Sequence, residues 1–352
     1  MNRLSLHRRQ FCLAVSTLCA WAPAVAKAAD TLRVLAWAGY ADPDIVKTFE
    51  QRMHCKVEVT YIDSDVDLWQ KISHNNGEDF DVFAVNTAEL QRYIRQKLVV
   101  PIPTSEVPNL ARQLTRFRNV NAIPGLVHSG QAYAVPYTYA EMGLIYDRKQ
   151  LAQAPDSIDV LWDERYKGKV IAYNAGTHNF SLAAMALHLR SPFQLTEKNW
   201  PLAVDRLIAL RRNAAGFYTQ PDESVTLFKS RQATLMFANY GRQQVQLLQA
   251  AGMDVGYAIP KEGALAWLDC WAITRGTPNL NLAAAWINYL LEPEPGQVLV
   301  KRQGLANTTS ASADYRDEDR LVWLEPVESE ERRNLLWTRI VSGDRASKVL
   351  AP

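Results

Sequence analysis

Cysteine and histidine are scarce in this sequence of 352 residues, which contains four cysteines and six histidines. Cys12 and Cys19 fall in an N-terminal apolar run, so only Cys55 and Cys270 remain in the body of the chain. They lie far apart in sequence, and we expect two buried free thiols rather than a disulfide. No histidines pair at metal-ligand spacing, and the HExxH, CxxC, GxSxG and P-loop patterns are missing. The sequence therefore favours a protein without metal, cofactor or catalytic activity, although a catalytic triad need not show in sequence spacing.

Excess charge of either sign is also missing. The first 29 residues carry four basic residues and no acidic one, so the rest of the chain has 39 − 4 = 35 Lys and Arg against 37 Asp and Glu. The resulting formal charge of 35 − 37 = −2 argues against nucleic acid as a partner. No long basic run indicates binding to a membrane surface, and beyond the N-terminus no apolar stretch is long enough to cross a bilayer.

Residues 1–29 have the layout of a secretory signal peptide. A start containing three arginines precedes the apolar run FCLAVSTLCAWA, which ends at Pro23 and is followed by the small residues of AVAKAAD. The run is short for a membrane span, so we expect cleavage before Asp30 and export to the periplasm. HRRQFCLAV also resembles a twin-arginine signal, which leaves the export route open.

Segments typical of strands and helices alternate along the rest of the chain. LRVLAW (32–37), KVEVTYID (56–63) and FDVFAV (80–85) have the composition of strands, and apolar residues at helical spacing separate the first two. A second set starts at VIAYNAG (170–176), and no Gly/Ser linker separates the sets. The pattern predicts an α/β fold with two lobes joined by strands. We expect the ligand in the cleft between them, beyond the carboxyl ends of strands.

Aromatic and acidic residues gather at turns after strands and at the probable crossings between lobes. They are Trp37, Tyr40, Tyr139, Glu141, Trp267 and Asp269. Each of them alone is equally well explained by core packing. Together they suit an amine, because aromatic faces attract organic cations by ~0.5–2 kcal/mol each and a carboxylate accepts charge-assisted hydrogen bonds from an ammonium.

The chain resembles the periplasmic spermidine- and putrescine-binding proteins of ABC transporters from LRVLAWAGY to LWTRIVSG. Its more specific stretches are WAGYADPDIVKTFEQRMHCKVEVTYIDSD, FDVFAVNT, AVPYTYAEMGLIYD, IPKEGALAWLDCWAI and AAAWINYLLEPEPGQ. The resemblance implies a two-lobed α/β periplasmic binding protein fold, each lobe a mixed sheet flanked by helices. We expect residues 30–139 and 269–306 in lobe 1, and 140–268 and 307–352 in lobe 2.

The resemblance also implies a function. It predicts a monomeric, non-enzymatic binding protein that closes on a small amine and docks on the membrane permease of an ABC importer. An alternative is a periplasmic amine sensor that passes its ligand state to a membrane signalling protein.

Five positions match the site of that family or come close to it. Trp37 and Tyr40 match an aromatic pair that flanks the polyamine, and Trp267 occupies the position of a site aromatic residue. Asp269 matches the acid that binds an amino group. Tyr139 stands where relatives often have tryptophan.

Other positions depart from the family. Asn86 replaces a serine, Gly39 stands where putrescine-type relatives have an acid, and AGTHNF lacks two acids that spermidine-type relatives carry near residues 175–180. Asn239 falls where a site tryptophan is expected, and Arg242 falls where putrescine-type relatives place a second acid.

Arg242 leaves two interpretations of the ligand open. A guanidinium opposite Asp269 suits an ω-amino acid such as γ-aminobutyrate or 5-aminovalerate, because arginine binds carboxylates well. Alternatively, Glu141 restores diamine binding as a replacement acid, or it neutralises Arg242 directly.

Overall fold

The computed structural model of the protein describes residues 30–311 and 316–351. The predicted signal peptide, residues 1–29, lies outside the described residues. Within the described part of the chain, no helix combines the length and apolar character that a membrane crossing needs.

Strands and helices alternate through most of the described chain. The strands are β1 (Thr31–Trp37), β2 (Lys56–Ile62), β3 (Val82–Asn86), β4 (Val99–Val100), β5 (Val127–His128), β6 (Gln131–Ala132), β7 (Ala134–Met142), β8 (Leu144–Asp147), β9 (Val170–Tyr173), β10 (Ala214–Tyr218), β11 (Leu235–Phe237), β12 (Val255–Ala258), β13 (Ala264–Thr274), β14 (Ala306–Asn307) and β15 (Leu321–Trp323). The helices are α1 (Pro43–Met53), α2 (Asp65–Ser73), α3 (Thr87–Arg95), α4 (Thr115–Arg118), α5 (Gly176–Ala186), α6 (Asn199–Asn213), α7 (Pro221–Ser230), α8 (Arg242–Ala250), α9 (Leu280–Leu290), α10 (Pro293–Gln303), α11 (Glu330–Val341) and α12 (Ala346–Val349).

Most of the strands belong to two mixed sheets. The first has the strand order β14-β7-β13-β3-β1-β2, with β4 and β15 also paired to β13. The second has the order β10-β9-β11-β8-β12. Each sheet combines parallel pairs, such as β1 with β2 or β9 with β10, and antiparallel pairs, such as β13 with β3 or β8 with β12. The predicted α/β fold with two sheets flanked by helices is therefore confirmed.

The long strand β13 forms the centre of the first sheet, and its two faces have different surroundings. Trp271 packs into the core on one face, 6.1 Å from Trp286 of α9 between ring centroids. Leu268 and Cys270 face the other core, as the alternation of side chains along a strand requires. Cys270 and Cys55 are both buried and unpaired, as expected from the sequence.

The chain passes between the two sheets at adjoining places. Gly143 joins β7 to β8, and the chain returns from β12 to β13 after Ala258. The crossings touch, because the Gly143 amide donates to the hydroxyl of Tyr257 on β12 at 3.1 Å. A Cβ at Gly143 would lie 2.7 Å from the Ala258 carbonyl oxygen, so glycine permits this approach. The exact lobe limits expected from the sequence stay a prediction.

Candidate ligand-binding cleft

A cavity of about 550 Å³ lies where residues from both sheets face each other. The side of the first sheet contributes Trp37, Ala38, Tyr40, Asp63, Ser64, Asp65, Asn86, Ala88, Glu89, Trp267, Asp269, Gln303 and Leu305. The other side contributes Tyr173, Thr177, His178, Ser181, Phe193, Asn239, Tyr240, Gln243, Leu324, Glu325 and Val327. We call this cavity the cleft. Its volume is within the range of small-molecule sites.

Asp269 forms the floor of the cleft. Its side chain lies on the same face of β13 as Trp267, and only 8% of the residue is exposed. The buried hydroxyl of Tyr40 donates to its carboxylate at 2.6 Å. Burial raises the pKa of Asp269 to about 6, and the Tyr40 hydrogen bond opposes that rise. The acid therefore lies in a poorly solvated position with one fixed donor, where a cation is favourable.

Aromatic side chains form the walls around this acid. Trp37 and Trp267 belong to strands of the first sheet, whereas Tyr173 and Tyr240 come from the second-sheet side. The Trp267 indole N–H donates to the Asn239 carbonyl at 3.2 Å, which fixes the ring against the opposite wall. Tyr173 and Tyr240 pack edge to face with ring centroids 6.0 Å apart. Such faces suit an organic cation and its methylene groups.

More carboxylates stand nearer to solvent. Asp65 lines the cleft and is an exposed residue. Protein atoms close to its carboxylate, and then the charges of Asp269 and Glu330, raise its pKa to about 6. The Asn86 amide donates to Asp65 at 3.0 Å. The pKa of Glu89 is also raised, by burial and then by the charges of Asp65 and Glu330.

Positive charge is missing from the cleft lining. Five carboxylates line it, from Asp63, Asp65, Glu89, Asp269 and Glu325, but among the described residues no lysine or arginine does. His178 does not compensate, because burial and the nearby Arg333 lower its pKa to about 4 and leave the ring neutral at pH 7. The electrostatics favour a ligand with positive charge and oppose a carboxylate.

Comparison with known proteins assigns the family. Residues 44–322 match the family of bacterial extracellular solute-binding proteins. The chain belongs to this family. A putrescine/cadaverine-binding protein of Pseudomonas aeruginosa is 24% identical over an alignment 358 positions long, which covers 93% of this chain and 98% of that protein.

Solved structures show the same fold for this solute-binding protein. The spermidine/putrescine ABC transporter substrate-binding protein of Streptococcus pneumoniae superposes with a TM-score of 0.73 at 20% identity, covering 89% of this chain and all of that one. A GABA receptor gives a TM-score of 0.64 at 16% identity, covering 92% and 98%. The two-lobed periplasmic binding protein fold expected from the sequence is thereby confirmed.

Five of the eight residues that sequence reasoning proposed come together in the cleft of this solute-binding protein. They are Trp37, Tyr40, Asn86, Trp267 and Asp269. Their contact with a ligand stays a prediction. Asn86 acts at present as the N-cap of α3, since its side-chain oxygen accepts from the Glu89 amide at 2.9 Å.

The structure places Tyr139 and Glu141 away from the cleft, contrary to expectation. In the antiparallel pairing of β7 with β13, Tyr139 lies opposite Leu268 and Glu141 lies opposite Ala266. Paired residues share a face, so both side chains point to the side of the sheet opposite Asp269. Tyr139 is buried in the core there, with its ring 4.9 Å from that of Phe117.

Arg242 also lies outside the cleft. It lines a separate cavity of about 430 Å³ together with residues of α8 and α10, and its guanidinium stands 5.2 Å from the Tyr257 ring centroid. The turn at Gly241, with a φ of +51°, starts α8 so that Gln243 rather than Arg242 faces the cleft. Consecutive helical residues point about 100° apart, so one position decides the direction.

Sequence reasoning missed Asp65, Glu89, His178 and Gln243. A signal existed for the two acids. Asp65 follows the carboxyl end of β2 and Glu89 follows that of β3, as Trp37 and Tyr40 follow β1. Ligands bind beyond these strand ends, so the rule that found the aromatic residues also applies to the acids.

Proposed function

We propose that this solute-binding protein binds an organic cation with at least two amino groups, of the putrescine and spermidine class. It does so in the periplasm, after removal of residues 1–29, and delivers the ligand as a monomer to the permease of an ABC importer. The observation that carries the proposal is the cleft lining, with five carboxylates and, among the described residues, no lysine or arginine. The names of the relatives agree with this class.

The same observation favours a dication over an ω-amino acid. That interpretation needs a cation opposite Asp269, and Arg242 lies in a different cavity. A ligand carboxylate in the cleft would face Asp65 and Glu89 without a compensating charge. Like charges in a desolvated site disfavour binding by several kcal/mol.

Binding then proceeds by closure of two lobes. One ammonium is held by Asp269, whose hydrogen bond to a cation contributes ~1.5–3 kcal/mol. The methylene chain lies between the aromatic walls. Contacts from the second-sheet side form only when the lobes approach, and the ligand favours closure by that difference in affinity.

The test is a thermal-shift titration of the protein starting at Asp30. Putrescine, cadaverine and spermidine should each stabilise the wild type by ~2.7 kcal/mol at 100 times the Kd, and γ-aminobutyrate should not. Asp269→Asn should remove the shift. Asp254→Asn is the matched control, since Asp254 pairs with Arg148 on the surface. Stabilisation by γ-aminobutyrate alone, or by no amine, would reject the proposal, and recovery of altered ligand after incubation would indicate an enzyme.

A further inference from the structure

Asn239 lines the cleft and carries an unused hydrogen-bond acceptor. It follows β11 of the second sheet, lines the cleft, and is 5% exposed. Its side-chain oxygen is buried and has no hydrogen-bond partner in the described structure. A buried acceptor without a partner is costly, so one that lines a ligand cavity points to a donor supplied by the ligand.

The main chain around Asn239 is held firmly. Its amide donates to the hydroxyl of Tyr218 at 2.8 Å, and its carbonyl accepts from the Trp267 indole at 3.2 Å. Tyr218 is itself fully buried and also donates to the Phe237 carbonyl. Both peptide groups are therefore satisfied, and the carboxamide is the part of the residue left to contact a ligand.

The contact with Trp267 also ties Asn239 to the strand that carries Asp269. Trp267 and Asp269 lie on the same face of β13, two residues and about 7 Å apart along the strand. A group that lies over Asp269 and beside Trp267 therefore lies next to a side chain whose indole contacts Asn239. Asp269 belongs to the first sheet and Asn239 follows a strand of the second, so the two acceptors come from opposite sides of the cleft.

We propose that Asn239 accepts a second hydrogen bond from the same ligand ammonium that Asp269 anchors, so that one primary ammonium joins the two lobes. This inference rests on the proposed function. A primary ammonium has three N–H donors, which suffice for both acceptors and one further group. A tertiary ammonium has a single N–H and keeps only the bond to Asp269. The site should therefore select amines with primary ends.

The experiment compares two dications, putrescine and N,N,N′,N′-tetramethylputrescine, by isothermal titration. Asn239→Leu removes the acceptor at similar volume, and we expect it to weaken putrescine binding about tenfold, the usual effect of losing one hydrogen bond to a charged group. Tetramethylputrescine affinity should change less than about twofold, because that ligand has no N–H left for Asn239. Equal losses for both ligands, or no loss, would overturn the inference.

Asn239→Asp separates an acceptor from a donor role. It keeps an oxygen at the same position, so putrescine affinity should equal or exceed that of the wild type. A loss of putrescine affinity in Asn239→Asp would show that the amide donates instead, and would overturn the inference. Unfolding midpoints of both variants exclude misfolding. If the wild type binds neither dication, the proposed function itself fails, an outcome distinct from a wild type that binds putrescine without depending on Asn239.

Discussion

Ligand affinity should fall as the pH is lowered through 6, because Asp269 must be ionised to hold an ammonium. In the free protein, burial raises the pKa of this acid from 3.8 to about 6. A bound ammonium favours the ionised form and lowers the pKa again. Binding below pH 6 therefore releases a proton, and acid opposes binding. The ligand stays charged throughout, since primary alkylamines titrate near pH 10.

The size of the effect follows from the free-state pKa. At pH 7.5 Asp269 is almost fully ionised, whereas at pH 5, one unit below its pKa, about one molecule in eleven is ionised. The apparent Kd for putrescine should therefore rise about tenfold between these pH values. The pKa of Asp65 is also raised, so protonation of this second acid adds to the loss.

Isothermal titration with putrescine from pH 5 to 8 measures the change in apparent Kd. Repeating the titration in buffers of different ionisation enthalpy gives the number of protons released on binding. Tyr40→Phe removes the hydrogen bond that lowers the pKa of Asp269, so the midpoint of affinity loss should move to higher pH. Tyr133→Phe, at a tyrosine that does not line the cleft, is the control. A Kd that stays within twofold between pH 7.5 and 5, or that improves in acid, would refute the reasoning.

Three further outcomes are expected. Arg333→Ala should lower the free energy of unfolding by ~3–5 kcal/mol in a denaturant titration, because Arg333 is fully buried and pairs with Glu328. The control Arg332→Ala breaks an exposed ion pair and should lower it by about 1 kcal/mol or less. Equal effects of the two substitutions would contradict this prediction. Asp269→Asn should stabilise the ligand-free protein at pH 7 by up to ~3 kcal/mol, because the raised pKa of Asp269 means that its ionised form destabilises the fold. This gain should vanish as the pH falls towards 4, where the wild-type acid is protonated. A stability difference that does not change with pH would show that ionisation of Asp269 is not its cause. Arg242→Ala should leave putrescine affinity unchanged within about twofold, because Arg242 lines a different cavity. Binding of γ-aminobutyrate by the wild type that is lost in Arg242→Ala would show instead that this guanidinium belongs to the ligand site.

Much of the fold and part of the cleft could be predicted from local patterns. Alternation along β13 placed Trp267 and Asp269 on one face, and this does not depend on which strand lies beside it. The positions of Trp37 and Tyr40 followed from the end of β1. These inferences succeeded because each uses information contained in one strand and the turn after it.

The misplaced residues depend on long-range geometry. The face of Tyr139 depends on the register between β7 and β13, which are separated by the whole second sheet in sequence, and a shift of one residue moves a side chain to the other face. The direction of Arg242 depends on how the turn at Gly241 starts α8. Resemblance to a family cannot supply either detail when an alignment is uncertain by one residue.

The placement of the acids also bears on how an empty cleft behaves. Asp65 and Glu89 lie on the side of the first sheet, whereas Glu330 begins α11, which packs on the core of the second. The charge of Glu330 already raises the pKa of both acids. In the proposed closure, bringing the lobes together without a ligand would bring these like charges closer, and their repulsion would oppose it. A ligand with several ammonium groups attracts the carboxylates on both sides of the cleft and so replaces their mutual repulsion with attraction. The preference of such a ligand for the closed form therefore includes the repulsion between carboxylates that it removes.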